Sequence, residues 1–435
     1  MPLPTRLNFA SYVIMRKKKI TLGFIITSFF IVTYKTTKGN QDHIYSLINS
    51  FKSKEDFIFD FFNRTENDDP NVFSLDNFTS YFDDMSNELE KYNLPLCPKK
   101  PPGLKGDLKR PAYLDSVLST YEKISIDNPR LSIGGKYAPK HCRPRFKLAI
   151  IIPLRGRIRQ LRVLLAHMHP IWQRQQLDYT VYVMWQSGKH LFNKAKIMNA
   201  GFLEASKDRK YDCYVFHDVD MLLENDECLY WCPTEDNPRS LSVYVDKFSY
   251  RFISYRMKCR PSTFPRTQDV QLFGGVVMVT KLQFMSANGF SNIYWGWGGE
   301  DDDLYFRLWN HRYQVHNPYG ESCSYHMLQH ETENSNAENK GHFALMTHAI
   351  SRMKYEGLNT LRYKHVSTKR ELLFTNITID VGQPMKQYVD FMMYNATDDE
   401  LCHRWMPWGR GKPIRPLDHM RTTGFRPVTS PCQVY

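Results

Sequence analysis

Three short runs of this sequence carry residues whose types and spacing could do chemistry. The first is Asp218-Val219-Asp220. On an extended segment, positions i and i+2 face the same way. Two carboxylates so placed could address a metal ion and a neighbouring sugar hydroxyl together, although a surface turn can display the same pair. The second is WGWGGEDDD, Trp295 to Asp303. Neighbouring carboxylates raise one another's pKa, and desolvation by tryptophan adds to that. The group suits a general base or the binding of sugar hydroxyls. Trp297 offers a flat face to a pyranose ring, and the glycines give a hinge. A solvated acidic turn would leave the paired tryptophans unexplained. The third is Met327-Leu328-Gln329-His330. An M-x-x-H pair lies on one face of a helical turn. Histidine is a common metal ligand and methionine a soft one, the plain alternative being a buried methionine beside an incidental histidine. Asp, His and Met together suit Mn²⁺ or a similar transition ion better than Ca²⁺, which takes oxygen ligands.

The elements that must position these groups are legible from hydrophobic patterning. KLAIIIPL (147–154) is an apolar, β-branched run and predicts a buried strand. RIRQLRVLLAHMHPIW (157–172) has helical apolar spacing. LDYTVYVMWQ (177–186) predicts a second strand, FNKAKIMNAGFLEASKD (192–208) a helix, and DCYVFHDVDMLL (212–223) a strand running into acids. The alternation predicts an α/β fold with a Rossmann-like, mainly parallel sheet and helices on both faces. Ligands of such sheets collect at the C-terminal strand ends. IIPLRGR and HDVD both sit at such ends, so they could share one crevice.

The remainder of the 435 residues bounds the setting. With 42% hydrophobic residues the chain is not disordered, and a mean hydropathy of −0.51 excludes a polytopic membrane protein. The net charge of +13 is partly concentrated at the ends, in Arg16 to Lys19 and in the last arginines. No basic helix with interleaved aromatics and no zinc-finger spacing occurs, so no nucleic-acid partner is expected. Nine cysteines are too few for a disulfide scaffold, and their odd number leaves at least one without an intrachain partner. Residues 20–34 carry no charge. The run is shorter than the roughly 20 residues that cross an average bilayer, but thinner secretory membranes accept shorter spans. The preceding basic cluster places the N-terminus in the cytosol. No clear small-x-small cleavage site follows. The expected organisation is a cytoplasmic tail (1–19), a transmembrane signal anchor (20–34), a polar lumenal stem (35–95), a catalytic domain (96–384) and a C-terminal extension (385–435). Sequons at Asn63, Asn77, Asn376 and Asn395 agree with a lumenal body.

Taken together, GGKYAPKHC, IIPLRGR, HPIWQRQQLDY, FNKAKIMNAGF, FHDVD, LFGGV, FSNIYWGWGGEDDDLYFRL, M-x-x-H and ITIDVG resemble the β-1,4-galactosyltransferase family, glycosyltransferase family 7. The resemblance runs from about Cys97 to Pro384. It implies a glycosyltransferase-A type fold and an inverting, Mn²⁺-dependent transfer from a UDP-sugar to terminal GlcNAc on glycoproteins or glycolipids. It also implies a Golgi type II membrane protein, with homo- or hetero-oligomers left open. By position, Pro153, Leu154, Arg155, Arg157, Phe192, Lys194, Asp218, Val219, Leu272 and Trp297 fall at donor contacts. Asp220, Met327 and His330 align with the metal ligands. Glu300, Asp301 and Asp302 align with the catalytic acids, Asp301 being the implied base. Trp297, Gly298, Asp301, Asp302, His342, Phe343 and Met346 align with the acceptor pocket. The segment after His330, about 331–348, resembles a long loop that orders over bound donor. Disulfides Cys97–Cys142 and Cys213–Cys232 are implied, leaving Cys228, Cys259, Cys323, Cys402 and Cys432 unassigned.

Several positions depart from the family pattern. Leu154 stands for a usual Phe, and Lys194 for a usual Arg, which keeps charge but loses the fork. Leu272 replaces a Tyr whose hydroxyl, in the family's galactosyltransferases, lies near the donor C2 substituent and crowds an N-acetyl group. UDP-GalNAc should therefore fit, with UDP-Gal as the alternative donor. His342-Phe343 and Met346 stand where Arg-Phe and Ile are common. An insertion lies within RFISYRMKCRPSTFPRTQDVQ (251–271), and the extension follows Pro384. A catalytically inactive lectin or a chaperone for a related transferase is the reading of another class, and the completeness of the acidic and metal positions speaks against it.

Overall fold

The computed structural model describes residues 94–108, 120–234, 237–255, 261–265, 267–318, 323–329, 338–339 and 341–384. The tail, the anchor, the extension, the stem up to residue 93, three sequons (Asn63, Asn77, Asn395), His330 and Cys259, Cys402 and Cys432 lie outside the described residues. Among the described residues no helix is long and apolar enough to cross a membrane.

Helix α1 (Tyr121–Asp127) and strand β1 (Lys136–Tyr137) precede an alternation of β2 (Lys147–Leu154), α2 (Ile158–Arg174), β3 (Asp178–Gln186), α3 (Lys194–Asp208), β4 (Cys213–His217) and β5 (Met221–Leu223). Short strands β6 (Arg239–Ser240), β7 (Tyr244–Val245), β8 (Ser254–Tyr255) and β9 (Val270–Gln271) lead to β10 (Val276–Thr280) and α4 (Lys281–Ser286). The chain then forms α5 (Glu300–Asn310), β11 (Ser324–Met327), α6 (His342–Thr347), α7 (Ala349–Met353), β12 (Lys364–Arg370) and β13 (Thr375–Asp380).

The main sheet has the order β12-β13-β3-β2-β4-β10-β6, with β1 on β3. Its centre, β13-β3-β2-β4, is parallel. The strands β12, β10, β6 and β1 pair antiparallel. The sheet is thus mixed, not mainly parallel. Hydrophobic alternation marks the parallel centre through its crossover helices. It does not mark direction for β10, which follows a long irregular stretch, or for β12 and β13, whose short connection forces an antiparallel hairpin.

Successive residues of β2 face opposite sides, so Leu148, Ile150, Ile152 and Leu154 share one core with Leu161, Leu164, Met168 and Trp172 of α2. Ala149 and Ile151 share the other with Ala195, Met198 and Phe202 of α3. Helix α3 begins where Asn193 accepts the Lys196 amide at 2.8 Å, an N-cap that fixes the entry angle of Lys194. A second sheet, β5-β11-β7, adjoins the end of β4.

Both expected disulfides are present, Cys97–Cys142 and Cys213–Cys232, and a third joins Cys228 to Cys323. Asn376 lies within β13, paired on both sides by β12 and β3, with its side-chain oxygen shielded from solvent.

Helix α5 carries four acids in its first turn, a placement that the helix dipole favours. One of them, Asp303, points away from solvent into a buried ion network. Its carboxylate accepts Arg307 Nε at 2.5 Å, Arg352 Nη2 at 2.6 Å and the Tyr294 hydroxyl at 3.0 Å. Glu356 accepts from the same two arginines at 2.9 and 3.0 Å. The network ties α5 to α7. Breaking a buried pair leaves an uncompensated charge and costs about 3–5 kcal/mol. Arg307→Met should therefore lower unfolding stability by about that amount in chemical denaturation, and a loss below about 1 kcal/mol would show that the network contributes little.

Candidate active site

Strand β4 stops at His217, the chain turns through Val219 and Asp220, and it resumes as β5. Asp218 and Asp220 are therefore presented by a turn, not by the pleat of one continuous strand. The Asp218 amide donates to Gly275 O at 2.7 Å and the Met221 amide to Asp218 O at 3.3 Å. Beneath the turn, His217 is fully buried, and desolvation pushes its imidazole down to about 4. The neutral ring donates through Nδ1 to Asp218 O at 2.8 Å and meets the Tyr230 hydroxyl at 3.1 Å through Nε2. Strand β5 pairs with β11, setting Met327 opposite Met221, and the Leu328 amide donates to Asp220 O at 2.8 Å. Asp220 and Met327 are brought together by strand pairing. Met327 closes an extended strand, so the expected helical turn is not formed there.

One cleft receives most of the residues singled out from the sequence. The end of β2 and the turn after it supply Pro153, Arg155 and Arg157. The start of α3 supplies Phe192 and Lys194, and the turn after β4 supplies Asp218, Val219 and Asp220. The loop into α5 supplies Trp297, the first turn of α5 supplies Glu300 and Asp301, and β11 supplies Met327. Gly296, not expected from the sequence, completes the wall.

Other expected residues lie elsewhere. Leu154 is 1% exposed and fills the core on the α2 side, because the strand pleat turns it away from the face shown by Pro153. Met346, also 1% exposed, is covered within the core and cannot meet a ligand as it stands. Asp302 is partly exposed on α5 and Leu272 partly buried before Phe273. Gly298, His342 and Phe343 form a neighbouring group: a side chain built on Gly298 would lie 3.8 Å from the His342 ring, and the His342 and Phe343 rings lie 4.0 Å apart. The Asn339 amide donates to Trp297 O at 2.9 Å, which joins this group to the tryptophan loop. Trp297 itself is 61% exposed, its face open.

The electrostatics of the cleft centre on Lys194. Its Nζ lies 3.0 Å from Asp218 Oδ2, 3.0 Å from Asp301 Oδ2 and 3.5 Å from Glu300 Oε1. Burial alone would lower the ammonium's pKa, but the carboxylates of Asp218, Asp301 and Glu300 more than reverse this and hold it above the ordinary lysine value. The acids outnumber their cations. Burial pushes the Asp301 carboxyl up to about 8; Lys194 opposes the shift, while Glu300 and Asp218 add to it. Asp218 moves in the same direction, first from burial and also from Asp220 and Glu300. Asp220 pairs with Arg157 at 3.1 Å. The second oxygen of Glu300 is buried without a hydrogen-bond partner among the described residues. A shielded orphan acceptor and a surplus of carboxylates beside a thioether fit a divalent cation with adjoining polar ligands.

Gly274 is a residue whose role sequence reasoning passed over. A Cβ there would fall 2.5 Å from Asp301 Oδ2, and its φ of +134° disfavours any side chain. The Gly-Gly pair in LFGGV was the available signal for this close approach.

Comparison with known proteins places the chain in a family. The family model for the N-terminal region of glycosyl transferase group 7 matches residues 97–233, and that for the N-terminal domain of galactosyltransferase matches residues 256–331. β-1,4-Galactosyltransferase 1 of Mus musculus is 40% identical over 293 residues, 67% of this chain and 68% of its own length. β-1,4-Galactosyltransferase 2 of Mus musculus is 39% identical over 295 residues, 67% of this chain and 74% of its own. Among solved structures, the catalytic domain of Drosophila β-1,4-galactosyltransferase 7 in complex with xylobiose matches with 25% identity and a TM-score of 0.44, over 57% of this chain and 99% of that one. With relatives at this identity over two-thirds of both chains, the protein belongs to glycosyltransferase group 7, the family of the β-1,4-galactosyltransferases, and is a hexosyltransferase.

Proposed function

We propose that the protein transfers GalNAc from UDP-GalNAc, with inversion, to the 4-hydroxyl of a terminal GlcNAc on glycoprotein or glycolipid glycans, as a Golgi type II membrane enzyme. The observation that carries this reading is the convergence of Asp218, Asp220, Glu300, Asp301, Arg157, Lys194 and Trp297 on one cleft. The relatives' names favour UDP-Gal as the second reading of the donor. A lectin or chaperone role would not call for a base, a cation pair and a tryptophan face in one place.

In this reading Arg157 and Lys194 bind the donor's diphosphate and offset its charge. Asp220 and Met327 would hold Mn²⁺, with His330 as the remaining ligand expected from the sequence; bound there, the ion would neutralise charge developing on the departing UDP. Trp297 receives the face of the acceptor ring. The Asp301 carboxylate takes the proton of the acceptor hydroxyl as that oxygen bonds to the sugar C1 from the face opposite UDP. The C1–O bond to UDP breaks, its electron pair leaves with the diphosphate, and the α linkage becomes β.

Asp301→Asn removes the proton acceptor but keeps the shape. It should lower kcat by about 10²–10⁴-fold while UDP affinity, read by calorimetry, stays within a few-fold; full turnover in this variant would remove Asp301 from the role. The pH dependence has a definite sign. A base works deprotonated, and a carboxyl raised to about 8 is largely protonated at neutral pH. The kcat/KM of the wild-type protein should therefore rise with pH toward about 8, and a profile falling through neutrality would contradict the assignment. For the donor, a two-substrate assay with a GlcNAc-terminated acceptor and Mn²⁺ should favour UDP-GalNAc over UDP-Gal, and Leu272→Tyr should shift preference toward UDP-Gal. A tenfold preference of the wild-type protein for UDP-Gal, or no shift in the variant, would show that Leu272 does not select the donor.

A further inference from the structure

The insertion before Leu272 is unabsorbed by the reaction just described, yet it packs against the helix that carries Asp301. Its base is a short antiparallel ladder, two residues in each strand, in which β8 pairs with β9, Ser254 opposite Gln271 and Tyr255 opposite Val270. The Leu272 amide donates to Ile253 O at 2.9 Å, and Asn317 Nδ2 donates to the Gln271 side chain. From this base the insertion sends one ring inward. Phe264 is 2% exposed, in a turn closed by its own amide donating to Pro261 O at 2.9 Å.

Phe264 lands on a particular stripe of α5. Residues four apart share a helix face, so Asp301, Tyr305 and Trp309 form one row. Phe264 lies 4.8 Å from Trp309, 5.1 Å from Phe306 and 6.3 Å from Tyr305, between ring centroids. The next turn of the row meets Phe273, 5.7 Å from Tyr305. The first turn sets the Asp301 carboxylate against Gly274, where there is no room for even a methyl group. Gly274 is held from its other side by Ser242, whose hydroxyl donates to Gly274 O at 2.7 Å. The row on α5 is thus seated in sequence on Phe264, Phe273 and Gly274. The last contact has no slack, so the tilt of α5 decides where the carboxylate sits.

We propose that Phe264, supplied by the insertion, is a positioning residue that braces the Asp301–Tyr305–Trp309 row and thereby holds the Asp301 carboxylate at Gly274. The inference rests on the reading of Asp301 as the base. Orientation errors of about 1 Å can cost about 10²-fold in rate. The rings that Phe264 meets, Tyr305, Phe306 and Trp309, do not line the cleft, so its loss acts chiefly on kcat, with a smaller effect on donor binding through the Asp301–Lys194 contact.

The test compares Phe264→Ala, Phe264→Leu and Phe264→Tyr in the full-length protein. Two readouts are taken per folded molecule: kcat and KM for the UDP-sugar, and hydrogen–deuterium exchange of amides 300–304. Phe264→Ala should lower kcat about 10–100-fold with the donor KM within about twofold, and should speed exchange at 300–304; Phe264→Tyr should restore both. If Phe264→Ala does not fold, Phe264→Leu carries the same two measurements. Wild-type kcat in a destabilised variant, or unchanged exchange at 300–304, would reduce Phe264 to a core residue and overturn the proposal. An inactive wild-type protein would instead overturn the transferase reading, and the exchange arm would still judge the brace.

Discussion

Lys194 holds three carboxylates at once, and the cleft is organised around that imbalance. One ammonium within 3.5 Å of Asp218, Asp301 and Glu300 can offset only part of their charge. In a shielded site like charges interact strongly. Burial first, and the neighbouring carboxylates in addition, raise Asp301 and Asp218 above the usual carboxylate range, and an oxygen of Glu300 has no hydrogen-bond partner among the described residues. The same surplus makes Asp301 a stronger proton acceptor and makes the cleft receptive to further positive charge. A lysine suits this centre because a compact ammonium on a flexible stem donates to several carboxylates from one point.

Such crowding persists only where the backbone leaves the acids no escape. The carboxylates come from separate elements: a turn after β4 and the first turn of α5. Each is fixed by contacts remote from the cleft. His217 and Gly275 hold the Asp218 turn. Pairing of β5 with β11 holds Asp220 beside Met327. The buried network of Asp303, Arg307, Arg352 and Glu356 anchors α5 to α7. Gly274 then sets the distance of closest approach between the Asp301 carboxylate and the sheet. The binding surface is therefore pre-organised by strand pairing and buried ions, while Trp297 stays exposed at its rim, joined to residue 339 through backbone.

Much of this could be read from residues alone, for identifiable reasons. KLAIIIPL is β2 without adjustment, and Asn193 caps α3 one residue inside the expected helix, because apolar runs and caps are local signals. The shared crevice of IIPLRGR and HDVD followed from strand ends in an α/β sheet. What was missed depends on contacts distant in sequence. Adjacent acids on a helix diverge by about 100° per residue, so Glu300 and Asp301 face the cleft while Asp303 serves the core. Leu154 and Met346 turn inward for the same geometric reason, one by the pleat and one by helix rotation. The pairing of Cys228 with Cys323 and the reversed direction of β10 have no local signature.

Crystals soaked with Mn²⁺ and UDP, measured at the manganese absorption edge, give the most direct reading of the charge surplus. A single anomalous peak is expected in the cleft, coordinated by the Asp220 carboxylate and the Met327 thioether, with the diphosphate on the side of Arg157 and Lys194. A peak lodged elsewhere, or UDP bound in the cleft with no manganese signal beside Asp220, would contradict it.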